Sequence, residues 1–458
     1  MSSVDEILTL VDKTENNLKT CQGDAGMKRR EFLKKSLAGA AVAGGFWPSW
    51  FALAVESPEA GSVLPKWKPG ELELHFIYTG CGENCFYRLP DGTAILNDVG
   101  DFYRPRDLKD IPLLPSPDRL GGEWVSRYIQ RVYPEKTIDY VVFSHWHGDH
   151  TGTGAINHEK TPAADFRYRN YPDGLSGNGI VSVAQDFSFK RYFDHQFPRQ
   201  GQFKSKGGLS FGAVMPWFER ERGKGLVAEP FRIGALNQIA MLRDAAKYKD
   251  VFSIRNLCAN GVAWDGENGV HDYVAVHDKA TGGALVNENV RSLAFVMRYG
   301  KFGYFAGGDV SGVLKNEDGS NVDYESVVGR LAGRVNVCKT NHHGYHDAMS
   351  EGFVRAVQAD AYISCVWCPR HVIESTLERM TSRALHGGRE PLFVPNIYPA
   401  SCRDRFEKAG RFGAIPDATR FGAHVVVKVA PGGDAYKIYL VDARDESMRV
   451  MGCLDFRS

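Results

Sequence analysis

Three imidazoles and a carboxylate fall within six residues at His145-Trp-His-Gly-Asp-His150, and such a density of ligand-type side chains points to metal chemistry. His145 and His147 are two apart, so on an extended strand end they point the same way and can share one ion. Asp149 and His150 follow on a turn and can reach a second. Gly148, Gly152 and Gly154 let the backbone fold tightly around the ions. Single histidines in globular proteins usually serve packing, a use that four donors in the pattern H-x-H-x-D-H do not fit.

The elements around this loop must deliver it. The apolar run Tyr140-Val-Val-Phe143 reads as a buried strand, which sets the loop at a strand C-terminus, where open α/β sheets place their sites. Ahead of it, Trp124, Tyr128, Ile129 and Val132 recur at helical spacing and predict an amphipathic helix over 121–133. Alternating Leu72, Leu74, Phe76 and Tyr78 predict an opening strand, followed by a hairpin of 85–89 and 93–97 about the turn Pro90-Asp-Gly92. Asp98 follows at the end of that hairpin. Later, Tyr304-Phe-Ala-Gly-Gly-Asp309 brings Asp309 to a strand end, and a short strand over 335–341 runs into His342-His343-Gly344. A strand over 361–365, a helix over 373–384 and a hairpin of 424–429 with 436–441 continue the α/β pattern. From 167 to 263 the periodicity is irregular apart from a helix predicted over 235–247, so this stretch reads as an insertion near the site.

On the H-x-H-x-D-H loop the chain resembles the metallo-β-lactamase-fold superfamily of metal-dependent hydrolases. Gly80-Cys-Gly-Glu83, the Asn287-Glu-Asn289 strand entry, Gly308-Asp309 and Lys339-Thr-Asn-His-His-Gly344 make it look most like the hydrolase domain of ComEC-type competence proteins, over residues 70–443. Cys81 and Glu83 stand where that group usually carries Gln and Asp. The many membrane helices of the competence proteins have no counterpart, so a DNA-uptake role does not carry over. The resemblance implies an α/β fold, the metallo-β-lactamase αββα sandwich, with an insertion between the first metal motif and the bridging Asp. It also implies two divalent metal ions, Zn²⁺ by preference. His145 and His147 would bind the first; Asp149, His150 and one imidazole of the pair, taken as His342, the second; and Asp309 would bridge. His343 stands behind His342, Asp149 and His343 take the catalytic positions, and Asp98 supports the metal ligands, as the Asp at this place often does in the superfamily. Lys339 and Asn341 are expected as strand-end surface residues.

Two zinc ions ~3.5–4 Å apart lower the pKa of a bound water toward ~7 and so supply hydroxide for attack on an ester or phosphoester substrate. Most superfamily members add a third His to the first metal. The candidates here, His158, His195, His271 and His277, lie in no recognisable motif, and the competence-type branch commonly lacks this ligand, so the first site is expected to be the weaker. Two other functions use the same donors. One is a non-haem iron oxidoreductase, against which stands the imidazole at His147, where the di-iron branch carries a carboxylate. The other is a binding protein that keeps its metals as structure.

The N-terminus points to export. Arg29-Arg30-Glu-Phe-Leu-Lys34 resembles a twin-arginine signal and is followed by a Gly/Ala-rich apolar stretch ending in Ala52-Leu53-Ala54, a small-x-small cleavage pattern. Gly39, Gly44, Gly45 and Pro48 make that stretch a poor spanning helix, so no stable membrane span is expected in the mature chain. Residues 1–26 read as an extension ahead of the leader at 27–54, and 55–458 as the hydrolase domain, delivered by the twin-arginine export machinery to the periplasm or outside the cell. Removing residues 1–54 takes seven Lys/Arg and six Asp/Glu from the 56 and 55 of the full chain, leaving 49 of each. The mature protein therefore has no bulk attraction for nucleic acid as a partner. Eight of the nine cysteines remain, and Cys365-Val-Trp-Cys368, a single C-x-x-C pair, is expected to be structural. Changing both Arg29 and Arg30 to Lys should trap the protein in the cytoplasm with its leader attached, which immunoblots of cell fractions check.

Overall fold

Segments rich in β-branched and aromatic residues, such as Thr137–Phe143 and Ala423–Val429, pair into two large sheets. The computed structural model describes residues 59–153, 167–207, 210–402 and 418–458. The extension, the leader, Gly154 and His158 lie outside the described residues. In chain order the strands are β1 Leu72–Phe76, β2 Asn84–Arg88, β3 Ala94–Val99, β4 Thr137–Phe143, β5 Arg169–Asn170, β6 Ser176–Gly177, β7 Ser188–Asp194, β8 Val227–Ala228, β9 Phe252–Ala259 and β10 Val262–Trp264. They continue as β11 Val270–Asp272, β12 Ala294–Tyr299, β13 Phe302–Ala306, β14 Val313–Lys315, β15 Asn321–Asp323, β16 Val337–Lys339, β17 Ala361–Ser364, β18 Leu392–Pro395, β19 Ala423–Val429, β20 Ala435–Asp442 and β21 Val450–Arg457.

One sheet has nine strands in the order β21-β20-β19-β1-β2-β3-β4-β7-β8, the other eight in the order β11-β10-β9-β12-β13-β16-β17-β18. Each is antiparallel on one side and parallel on the other. The parallel parts are β3-β4-β7-β8 and β13-β16-β17-β18. The sheets meet face to face through aromatic rings. Phe76 and Tyr87 both approach Tyr304 edge-on, at 6.0 and 5.5 Å between centroids, and the phenols of Tyr87 and Tyr304 hydrogen-bond at 2.8 Å. Phe302 meets Tyr436 in the same seam at 5.1 Å.

Helices cover the outer faces. The helix Gly121–Val132 starts where the Glu123 carboxylate accepts the Leu120 N–H at 2.8 Å, and it buries Val125, Tyr128 and Ile129 against the first sheet. Each such side chain contributes about 1.5–3 kcal/mol. Tyr324–Ala332 and Glu351–Val357 cover the second sheet, with Val327, Val328, Phe353 and Val354 in its core. In each half, a strand, a helix and a parallel strand lead into a histidine loop. β3, Gly121–Val132 and β4 deliver His145, while β13, Tyr324–Ala332 and β16 deliver His343.

The stretch 167–263, expected as an insertion, is part of this frame: β7 and β8 extend the first sheet and β9 and β10 the second. Its periodicity is hidden because β7 carries Lys190 and Arg191 in succession, one on each face, where they pair with Asp139 and Glu229. The helix predicted over 235–247 does not form; only Ala245–Tyr248 is helical. Tertiary bonds claim that backbone instead. Asn237 exchanges two hydrogen bonds with Ile254, and the Arg243 N–H goes to Asp91. The helix predicted over 373–384 is shorter, Glu374–Met380, and β21 was not anticipated.

Backbone contacts clamp the metal loop to the opening hairpin. The Glu83 N–H donates to the Asp149 carbonyl and the Gly100 N–H to the Glu83 carbonyl, both at 2.8 Å, and the Asp101 N–H donates to the Gly148 carbonyl at 3.1 Å. A Cβ at Gly100 would run into the Asp149 carbonyl oxygen. Gly100→Ala is therefore expected to destabilise the fold by about 1–3 kcal/mol, and urea denaturation measures the loss.

Candidate metal centre

The strand ends bring two groups of buried donors together. One holds His145, His147 and Asp309, the other Glu83, His150, Asp309 and His343, and within each group the donor atoms lie within 4.8 Å of one another. Asp309 belongs to both. Its Oδ1 is 3.2 Å from His150 Nε2, and its Oδ2 is 3.8 Å from His145 Nε2 and 3.6 Å from His343 Nε2. His145 Nε2 and His147 Nδ1 are 3.0 Å apart. Asp149 Oδ2 lies 3.1 Å from His343 Nε2 and 3.7 Å from His150 Nε2.

Asp98, at φ 60° on the end of β3, accepts the Ser144 N–H at 2.7 Å and the Ser144 hydroxyl at 2.6 Å, and lies 2.9 Å from His150 Nδ1. That contact leaves His150 Nε2 facing Asp309, as expected of a supporting carboxylate.

The adjacent histidines take unlike places, because His342 and His343 both adopt left-handed backbone, at φ 44° and 52°. His343 enters the donor group and is fully buried. His342 turns toward the rim, with Nδ1 2.5 Å from Asp347 and Nε2 3.1 Å from the Asn289 amide and 3.9 Å from Asp309. The expected order had His342 lead and His343 stand behind; of the two, it is His343 that lies within the donor group. Against His343 lie Trp367, whose Nε1 is 3.2 Å from His343 Nε2, and His371, stacked at 4.6 Å with ring planes 15° apart.

Lys339 and Asn341, expected on the surface, are buried. Lys339 Nζ lies 2.6 Å from Glu83 Oε2 and donates to the Gly308 carbonyl. Asn341 donates to Glu325 at 2.9 Å. Of the four histidines considered as a further ligand, His195 is bound to Glu288 at 2.9 Å and packs on Trp146, and His277 accepts the Lys315 N–H. His271 meets Tyr273 edge-on at an exposed edge strand. None of these three joins the group of His145 and His147. The eight described cysteines are buried and none is joined in a disulfide among the described residues, Cys365 and Cys368 included.

Electrostatics favour ligand-ready imidazoles. Burial holds His145 and His147 below the usual histidine range, so both are neutral near pH 7. For Asp309 and Asp149 burial works the other way, but His150 and His343 overcome it and keep both carboxylates ionised. His150 is held up by Asp309 and Asp149 in spite of its burial. A cation here must therefore displace a proton. The donors fit such a cation, because three atoms of the second group, His150 Nε2, Asp309 Oδ1 and His343 Nδ1, are buried without a hydrogen-bond partner. Glu83 Oε2 lies 2.6 Å from the Lys339 ammonium and 3.6 Å from His343 Nδ1. Four imidazoles among the donors of the two groups suit zinc and other transition ions.

Sequence reasoning missed Glu83, Trp367 and His371 as neighbours of the centre. Glu83 stands out in sequence only as a departure from a family pattern, and the other two lie in or beside the C-x-x-C segment, which was read for its sulfurs.

No protein-family profile matches the chain. Over 67 residues, 14% of this chain, it is 37% identical to Lactamase-like protein nscB of Trichophyton verrucosum, covering 23% of that protein. It is 36% identical over the same length to the proteins of that name from Trichophyton equinum and Trichophyton tonsurans, covering 20% of each. The match thus spans less than a quarter of these relatives. With the buried donor clusters, it supports a metallo-β-lactamase-like superfamily.

Glu325 ties down the histidine loop by accepting the Asn341 amide and the Met349 and Ser350 N–H groups, at 2.9, 2.7 and 2.7 Å. Burial lifts its carboxyl from 4.5 to about 7. The unfolded chain releases this proton first as pH rises, so the contribution to stability is full below pH 4.5 and is lost as pH passes through 7, by up to about 3 kcal/mol. Urea titrations at pH 5 and 8 should show a smaller drop for Glu325→Gln than for the wild type.

Proposed function

We propose that this chain is an exported binuclear metal-dependent hydrolase acting on an ester or phosphoester, of the ComEC-like pattern within its superfamily. The observation that carries the reading is the Asp309 carboxylate, which presents one oxygen to His150 and the other to His145 and so links two buried donor groups. His145, His147 and Asp309 would hold the first ion. His150, Asp309 and His343 would hold the second, with Asp149 completing the set. When bound, two such ions supply Lewis acidity and lower the pKa of water at the site.

The chain's own residues do the positioning. Asp98 fixes the tautomer of His150 by contact with its Nδ1. Asp149, partly exposed and 3.1 Å from His343, is placed to orient a water or accept its proton. His342, at the rim with Asn289 and Asp347, is placed to meet the substrate rather than the ion. Export is supported by the twin arginines and the Ala52-Leu53-Ala54 pattern. Among the described residues no helix is long and apolar enough to cross a membrane.

His147→Ala and Asp309→Ala should each abolish hydrolysis across a panel of phosphodiesters, phosphocholine esters, lactones, β-lactams and single-stranded DNA, while circular dichroism stays near wild type. Undiminished turnover in either variant would remove the binuclear reading, and elemental analysis of the purified protein identifies the metal.

A further inference from the structure

The proposed centre leaves one buried cation without a role. Lys339, the last residue of β16, is 1% exposed and so is Glu83, and their charged ends are 2.6 Å apart. An ammonium withdrawn from water is costly and is kept only where its surroundings compensate it. Here the compensation comes from Glu83, from the Gly308 carbonyl, to which Lys339 donates, and from Asp309 Oδ1 at 3.7 Å.

Each partner is fixed to a different half of the site. Gly308 sits at φ +51°, and a Cβ there would come within 2.5 Å of the Ser144 side chain, so its peptide has little room to move. The Asp309 N–H is held by the Ser292 hydroxyl at 3.2 Å. Lys339 on the preceding carbonyl and Ser292 on the N–H thus fix the backbone from which the Asp309 carboxylate projects. Glu83, at the other end of the pair, donates its N–H to the Asp149 carbonyl at 2.8 Å and leads into β2 of the first sheet. The ion pair therefore spans from the H-x-H-x-D-H loop on one sheet to the Asp309 turn on the other.

We propose that Glu83 and Lys339 form a positioning tie across the two sheets, holding Asp309 where both donor groups can share it. The proposal rests on the binuclear reading and deepens it. Neither residue touches substrate. Both act through Asp309, and without the tie the carboxylate is free to serve one group and desert the other.

The test uses the full chain, loaded with Zn²⁺, dialysed, and assayed for bound metal and for affinity in competition with a chromophoric chelator. The wild type should hold two equivalents. Lys339→Met and Glu83→Gln should each lose one equivalent or weaken one site at least tenfold, and the double variant should be no worse than Lys339→Met alone, because the two residues act as one unit. In Co²⁺-loaded protein the visible absorption bands should shift in the variants, which a loss of stability alone would not cause. Two equivalents bound at wild-type affinity in both single variants would overturn the tie while leaving the binuclear reading intact; a wild type that holds no divalent metal overturns both. If Lys339→Met does not fold, the double variant decides, since removing both charges leaves no unpaired ion in the interior. Two sites of wild-type affinity in that folded double variant would likewise overturn the tie.

Discussion

Asp309 is the constraint on which the rest of the site depends. Its carboxylate is buried with His145 and His147 on one side and His150 and His343 on the other. A carboxylate in such surroundings stays ionised only if positive charge or donors meet it from several directions. Glu83, Asp98 and Asp149 crowd the same space. Against four acidic groups, the chain sets one permanent cation, Lys339, and several imidazoles. The imbalance is what makes the pocket receptive to cations, and Lys339 alone does not remove it.

The scaffold answers that constraint by bringing two equivalent strand ends together. The aromatic seam of Phe76, Tyr87, Tyr304, Phe302 and Tyr436 sets the spacing of the sheets. The parallel halves point their strand C-termini at the same gap. The histidine loop after β4 and the turn after β13 therefore meet although more than 150 residues separate them. The backbone is bent to suit. Asp98, His342 and His343 all carry positive φ, a conformation that side-chain-bearing residues adopt at a cost.

Much of this arrangement was legible because the local chemistry is dense. The loop His145–His150, the strand before it, the helix Gly121–Val132 and the arrival of Asp309 at a strand end all follow from residue types and periods of two or 3.6, while the supporting place of Asp98 came from the family resemblance. The strand β7 was not legible, since Lys190 and Arg191 break its alternation while pairing with acids on neighbouring strands. The absent helix before Ala245–Tyr248 has the same kind of cause, for its backbone is claimed by Asn237, Ile254 and Asp91.

The sequence by itself determined which donors exist and that they lie at strand ends, because ligand type and strand period are local properties. Only the tertiary structure decided that His343 rather than His342 faces Asp309 from within the donor group, since two consecutive left-handed residues swing adjacent rings apart and nothing in the pair His-His records those angles. It also decided that Lys339 is buried against Glu83. These residues are 256 positions apart in the chain, and a contact made across two stacked sheets is set by how the sheets pack rather than by either segment alone.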